Sequence, residues 1–406
     1  MTPGLSVLIV NYNTWRECAA AVQSLRRHPP TQPDGSPLPY EVIVVDNCSP
    51  LRPEPEIAHL RAVLAELAQE TGDPQAGQLI LHDENGGYSK GVNLAFRRSR
   101  GRYILVSNPD VEFTPGCISA LQRQLARDPR TGCAVPKGYW DHDYLGRLPP
   151  NTLPTVRDLL ATTLGDFSPR MRRWYGRRLA RRWVDVWEAQ APLPLRMMSG
   201  CLFLLERSFF EQLGLMDERY PLYFEDADLS RCIWRAGKEL VQVPDARLVH
   251  FVNRSGQTDP GTVLRRHDES RALYFRKWYG WPGRLLLGAC NWLCRTKVLA
   301  WLRRPPPDGP FIDLGATHLP PVVRLPRACE RFLLLVSLDS RFYLSGGLTG
   351  SGQQWTPSAG VFQNFSPTTY WLRAFDLSAG RFEELGTWRY TCVHRAEAPV
   401  AAAARG

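Results

Sequence analysis

The chain has no CxxC pair, no uninterrupted apolar run of membrane-spanning length and no GxGxxG turn, and each absence removes a class of protein. Its ten cysteines (Cys18, Cys48, Cys117, Cys133, Cys201, Cys232, Cys290, Cys294, Cys329 and Cys392) are scattered, mostly in apolar runs. There a reduced thiol acts as a small hydrophobe, so the expectation is a reducing compartment with neither a disulfide framework nor a zinc site. The most apolar stretch, Leu285 to Leu302, is interrupted by Arg295 and Lys297, so no unbroken run reaches the roughly 18 residues a spanning helix needs. The opening residues pass straight into Leu5–Val10 without a basic region or cleavage signal. Secretion by a leader is therefore not expected, and a cytoplasmic location is. Acid is scarce relative to base: 40 Asp and Glu against 50 Lys and Arg leave a net charge of +10. That surplus suits an anionic partner such as nucleotide phosphates, a lipid phosphate or an acidic membrane surface. No nucleic-acid recognition motif accompanies it, and nucleic acid is not expected as a partner.

At 406 residues the chain is long enough for two domains. The first half alternates buried-strand and helix patterns. Leu5–Val10, Val42–Val45 and Tyr103–Val106 are continuous apolar runs of the kind buried on both sheet faces. Between them lie amphipathic stretches: Thr14 with Glu17 reads as a capping box, Ile57–Glu70 and Lys90–Arg98 as helices, and Thr114-Pro115 as a helix start. This predicts an α/β fold with an open, mostly parallel sheet, in which ligands bind beyond the carboxyl ends of the strands. Asn11, Asp46, Asn85 and Asp110 all fall just after a strand or in the loop that follows. Arg303–Pro310 reads as a linker. Beyond it Phe332–Val336, Phe342–Leu344, Tyr370–Phe375 and Trp388–Cys392 predict a small all-β domain.

Several polar groups have the chemistry for a site, and each also has a plainer use. Asp46, closing a buried strand, is equally suited to cap a turn or to accept from a nucleobase N–H or a ribose hydroxyl. Asn85-Gly86-Gly87 before a helix either makes a simple turn or lets backbone approach a nucleotide. Asp110 in Asn108-Pro109-Asp110 offers one carboxylate to a hard cation or an Asx turn to the chain. Glu225, Asp226 and Asp228 sit where a helix dipole favours carboxylates, yet a base flanked by Tyr223 and Phe224 would also be partly desolvated there. His250 follows the strand-like Leu240–Val249 and is a nitrogen donor available to a metal.

In order along the chain stand SVLIVNYN, EVIVVDNCS, ENGGYSKGVN, YILVSNPDVEF, MSGCLFLLER, YFEDADLSRCIWRAG and LVHFVNRSG. Together they resemble the inverting glycosyltransferases of family 2, over roughly residues 4–280. The resemblance implies a GT-A fold, a nucleoside-diphosphate sugar donor and Mg²⁺ or Mn²⁺. It implies donor binding by Asn11, Asn13, Asp46, Asn85, Gly87, Lys90, Asn93, Asn108 and Asp110, metal binding by Asp110 and His250, and catalysis by Asp226 with Glu225 beside it. The DXD metal motif begins with Asn108 here; this NPD form resembles bacterial rhamnosyltransferases, which implies dTDP-rhamnose as donor.

The expected layout is a catalytic domain over 1–280, an amphipathic helix and Pro-rich linker over 281–310, a β-rich domain over 311–395 and a disordered tail over 396–406. The expected function is sugar transfer to a saccharide or lipid-linked saccharide in cell-surface polysaccharide synthesis. The competing reading is a non-catalytic nucleotide- or glycan-binding protein on a degenerate transferase fold. Two basic, aromatic stretches, Arg170–Trp183 and Trp278–Leu302, suit the headgroups of an anionic membrane or, equally, a solvated helix and an interdomain helix. Trp355, Tyr370, Trp371 and Trp388 read as the core of the β-rich domain in preference to a sugar-stacking face.

Overall fold

The computed structural model describes residues 3–250, 260–304, 306 and 310–393. The expected tail and positions 251–256 of the LVHFVNRSG motif lie outside them. The first half runs β1 (Leu5–Asn11), α1 (Trp15–Arg27), β2 (Tyr40–Asp46), α2 (Glu54–Thr71), β3 (Gly77–Leu81), α3 (Tyr88–Arg98) and β4 (Tyr103–Ser107). It continues with β5 (Val111–Phe113), α4 (Cys117–Arg127), β6 (Thr131–Tyr139), α5 (Val156–Phe167) and α6 (Pro169–Glu188). After β7 (Leu193–Leu195), β8 (Leu202–Glu206) and α7 (Arg207–Gln212) come α8 (Glu225–Arg235), β9 (Glu239–His250) and α9 (Pro260–Arg295). The last part is β10 (Ile312–Thr317), β11 (Val323–Ser337), β12 (Gly346–Trp355), α10 (Ala359–Phe362), β13 (Thr369–Asp376) and β14 (Glu383–Cys392).

The large sheet has the order β3-β2-β1-β4-β8-β6-β9-β5, with β7 on β9. The strands β3, β2, β1 and β4 are all parallel; the apolar runs of β1, β2 and β4 are buried on both faces, as a helix-covered parallel sheet requires, while β3 at the edge is half-buried. Beyond β4 the sheet becomes mixed, because β8 enters antiparallel between β4 and β6. One core packs α1, α2 and α4 on one face; the other carries α3, α7 and α8. Two helix starts differ from expectation. Thr14 makes no cap bond, because its hydroxyl donates to Asn11 Oδ1. The helix after Thr114 begins at Cys117 behind a left-handed Gly116, and the Thr114 hydroxyl donates to the Arg247 carbonyl.

The second sheet, β10-β14-β13-β11-β12, buries side chains on both faces. Along β11, Phe332, Leu334 and Val336 join Trp388 and Tyr390 on one face. Leu333 and Leu335 point the other way, onto Tyr175, Leu179, Trp183 and Trp187 of α6. The aromatics of Arg170–Trp183 therefore do not form a membrane face: Tyr175 and Trp183 are spent on the second sheet, and only Trp174 is exposed. Tyr370 and Trp388 are core residues. Phe342–Leu344 is not a strand but a bend that inserts Phe342 beside α6. Arg147 and Gly347 exchange backbone hydrogen bonds (2.8 and 3.0 Å) and tie the two sheets together.

Candidate active site

The carboxyl ends of β1 and β2 carry the first polar cluster. Asp46 is fully buried; Oδ1 accepts from Asn11 Nδ2 (2.9 Å) and the Ser49 hydroxyl, while Arg52 stands 3.2 Å from Oδ2. Asn11 is itself saturated, since its Oδ1 accepts both the N–H and the hydroxyl of Thr14. Asn13, in the left-handed region at φ 58°, accepts from the Leu51 N–H and donates its own N–H to Ser49. Asn11 and Asn13 thus shape the loop that holds Asp46.

The next loop stacks alongside. Asn85 Oδ1 accepts from Asn47 Nδ2 (3.0 Å) and from the Gly87 N–H. Gly87 corrects an expectation: a Cβ there would stand 2.7 Å from the Pro221 carbonyl, and φ is +88°. The close backbone approach that demands glycine is to Pro221, within the protein. Lys90 is exposed beside Gly86. Asn93 is likewise not free for a donor. It is buried, donates to the Met216 carbonyl and Glu218, and accepts from the Met216 N–H, locking α3 to the loop before α8.

Tyr88, within ENGGYSKGVN, escaped the sequence reading. Its hydroxyl donates to Asn108 Oδ1 (3.4 Å), and burial, then the nearby charges of Glu225, Asp226 and Asp110, push its ionisation well upward. One aromatic hydroxyl therefore links the NPD turn to the acids of α8. Asp110 and His250 are brought together by the antiparallel pairing of β5 with β9, in which Val111 faces His250. Both are buried, and His250 Nε2 lies 3.0 Å from Asp110 Oδ1.

The three acids of α8 separate by environment. Two successive left-handed residues, Tyr223 (φ 64°) and Phe224 (φ 65°), turn the chain into the helix. Asp228 is buried and neutralised: it accepts from Lys277 Nζ and Trp278 Nε1, both at 2.7 Å, and from the Tyr220 hydroxyl at 3.1 Å. Asp226 and Glu225 form no ion pair among the described residues. Burial holds Asp226 above the usual carboxylate range, with N–H groups of Ala227 and Gly200 pulling partly back. Glu225 is raised by burial and then by the Asp226 charge, and its Oε2 is enclosed without a hydrogen-bond partner among the described residues. Asn151, in a segment with little sequence pattern, aims Nδ2 at Asp226 Oδ2 (3.4 Å). A carboxylate without a cation, raised in pKa and oriented by an amide, can accept a proton near neutral pH.

The family model for glycosyl transferase family 2 matches residues 6–214. An N-acetylglucosaminyl-diphospho-decaprenol L-rhamnosyltransferase of Mycobacterium tuberculosis is 30% identical over 237 residues, covering 52% of this chain and 73% of that protein. Human polypeptide N-acetylgalactosaminyltransferase 13 is 26% identical over 266 residues, 64% of this chain and 43% of that protein. Among solved structures, GalNAc-T7 with UDP, GalNAc and Mn²⁺ aligns at 17% identity and a TM-score of 0.45, over 71% of this chain and 55% of its own. With the family match spanning half its length, the chain belongs to glycosyl transferase family 2, its large mixed α/β sheet domain followed by a second, separate sheet.

Proposed function

We propose that this glycosyltransferase moves a sugar, with rhamnose from dTDP-rhamnose as the leading donor, onto a lipid-linked saccharide by a single inverting displacement. One observation carries the reading: of three acids at the start of α8, Asp226 alone is both unneutralised and held by an amide, Asn151, from another segment. The donor and acceptor assignments draw on the L-rhamnosyltransferase relative, whose named acceptor is N-acetylglucosaminyl-diphospho-decaprenol.

Asp226 accepts the acceptor hydroxyl's proton as that oxygen attacks the anomeric carbon, and the bond to the nucleoside diphosphate breaks on the opposite side. Asn151 fixes the carboxylate, and the N-terminal dipole of α8 stabilises it once it is ionised. Asp46, within its Asn11–Ser49 loop, is the group for the base or ribose of the nucleotide. The buried pair Asp110 and His250 offers one hard oxygen and one imidazole nitrogen, a donor set that fits Mn²⁺ or Mg²⁺ completed by diphosphate oxygens and water. Such a cation, when bound, stabilises the charge growing on the leaving diphosphate.

Among the described residues no helix is long and apolar enough to cross a membrane. Beyond the break at Gly280 (φ 64°, ψ −162°), Trp281, Leu285, Trp292, Val298 and Trp301 are exposed among Arg284, Arg295 and Lys297. We assign this segment as the peripheral contact with an anionic membrane surface.

The test incubates purified protein with a panel of nucleoside-diphosphate sugars, with and without Mn²⁺ or Mg²⁺, and follows nucleoside diphosphate release. Metal-dependent release from one donor, lost in Asp226→Asn, supports the reading and names the sugar. Release that persists in Asp226→Asn removes the base assignment. Silence combined with no binding of any nucleotide removes catalysis altogether.

A further inference from the structure

A cavity of about 740 Å³ lies between the edge of the large sheet, α5 and α6. Its wall includes Asn151, Ser199 and Cys201. These residues adjoin the base: Asn151 is directed at Asp226 Oδ2, and a Cβ on Gly200, between Ser199 and Cys201, would sit 3.2 Å from Asp226 Cβ. The cavity therefore begins where the acceptor hydroxyl must lie and extends away from the Asp46 loop, none of whose residues line it.

Its charge is one-sided. Lys137, Arg147, Arg157, Arg178, Arg182 and Arg196 line it, and none of the six forms an ion pair among the described residues. The two carboxylates in the wall are Asp158 and Asp185. Asp158 is already committed to Thr155 and to the Tyr175 hydroxyl. Lys137 is held by two backbone carbonyls, of Trp187 and Ala189, with the charges of Asp245 and Glu188 nearby, and Arg147 Nε is buried without a hydrogen-bond partner among the described residues. Six cations stand against two carboxylates, so the cavity carries a net positive potential, and Arg157, Arg178, Arg182 and Arg196 reach solvent, where an entering anion can meet them.

The surroundings show how the set is held. On α6, Trp174, Arg178, Arg182 and Asp185 follow one another at spacings of about one helical turn along the cavity, beside the stripe of Tyr175, Leu179, Trp183 and Trp187 that also lines it. The neighbouring stripe, Tyr175, Leu179, Trp183 and Trp187, is anchored in the second sheet by Leu333, Leu335, Phe342 and Phe375. The second domain contributes no side chain to the cavity but fixes the helix that brings two of its guanidinium groups.

We infer that this cavity is the acceptor site and that its arginines bind the phosphate or diphosphate through which the acceptor saccharide is carried. The inference rests on the transferase reading only for placing an acceptor beside Asp226; anion binding by the cavity stands apart from it. Guanidinium groups pair with phosphate oxygens two at a time, which suits a diphosphate better than a carboxylate or a neutral glycan. Arg178 and Arg182 are the specificity-determining residues, and the C-terminal β-rich domain is their support.

The experiment uses the full chain and equilibrium binding, with Trp174, Trp183 and Trp187 in the cavity wall as fluorescence reporters. Farnesyl diphosphate is the probe; farnesol and phosphatidylglycerol vesicles are the comparisons. Loss of each charge-assisted pair weakens binding about tenfold, so Arg178→Gln/Arg182→Gln is expected to bind the probe about 100-fold more weakly. Arg173→Gln, exposed on α6 outside the cavity, is expected to bind as wild type and to report any general damage to the helix. Equal binding by the double variant and wild type overturns the inference. So does equal affinity for farnesol, which would make recognition apolar, or a matching loss on vesicles, which would make the arginines a general lipid-headgroup surface. Silence from every donor combined with no binding of any nucleotide would remove the transferase reading and leave this binding result standing. Where turnover is found, the double variant is expected to raise the acceptor KM more than it lowers kcat.

Discussion

Asp226→Asn and Asp228→Asn exchange the same atoms two residues apart, yet opposite consequences are expected. Asp226 has no cation partner; it accepts from its neighbour's N–H and faces Asn151. Asparagine keeps the shape and can still accept from the Ala227 N–H, but it cannot take a proton, so kcat falls by about 10²–10⁴-fold for loss of a general base. Its folded state no longer encloses a carboxyl held above its unfolded pKa. Such a group costs stability once pH exceeds the unfolded value, so the variant is expected to melt at or above the wild-type temperature at neutral pH. Asp228→Asn removes the charge opposite Lys277, which lies 2.7 Å away, half-buried, and keeps Asp217 at 2.9 Å as a second partner. Breaking a fully buried pair costs about 3–5 kcal/mol; the remaining partner and partial exposure bring the expected loss to about 1–3 kcal/mol. In a protein of this size that lowers Tm by roughly 2–12 °C, at about 2–4 °C per kcal/mol. The assay pairs calorimetric melting with single-turnover sugar transfer for both variants. A stable Asp226→Asn retaining more than about a tenth of wild-type kcat, against the 10²–10⁴-fold loss expected of a base, would refute the reasoning, as would an Asp228→Asn that melts normally but is inactive.

Other perturbations test separate parts of the structure. Glu225→Gln removes a carboxyl whose pKa burial raises to about 8 in the folded state, so its stability gain over wild type should be absent at pH 4, grow once pH exceeds the ordinary glutamate value and level off above the folded pKa; melting curves across pH 4–9 check the sign. The acid limb of kcat/KM should lie above the ordinary aspartate range of about 3.9 because Asp226 must ionise. Gly87→Ala forces a Cβ toward the Pro221 carbonyl at a positive φ, and a loss of about 2 kcal/mol or more in denaturant titration is expected. Trp281→Ser with Trp301→Ser removes two exposed indoles and should abolish flotation with anionic vesicles while the Tm stays unchanged; wild-type protein that never floats ends the membrane assignment.

Much of this protein is local pattern and is readable without coordinates. The runs in β1, β2 and β4, the acids opening α8 and the Asn108–Asp110 turn depend on neighbours a few residues away, so their chemistry is written in short stretches of chain. What escaped depends on partners far along the sequence. Thr14 looks like a helix cap until Asn11 claims its hydroxyl to complete the Asp46 loop. Asn93 looks like a ligand until Met216 and Glu218 consume its amide, and Gly87 looks like a nucleotide loop until Pro221 arrives.

The sequence by itself determined the alternation of buried strands and amphipathic helices, the family motifs and the supply of acids at the strand ends. Only the tertiary structure decided which acid of Glu225, Asp226 and Asp228 stays unpaired, because Lys277 comes from a helix that begins 24 residues beyond α8. It also decided that Tyr175 and Trp183 of the arginine-rich helix are buried. The second sheet, more than 120 residues away in sequence, covers that stripe of α6 and leaves Trp174, Arg178 and Arg182 exposed. Periodicity shows that a helix has an apolar face; what covers that face is set by contacts that no local pattern encodes.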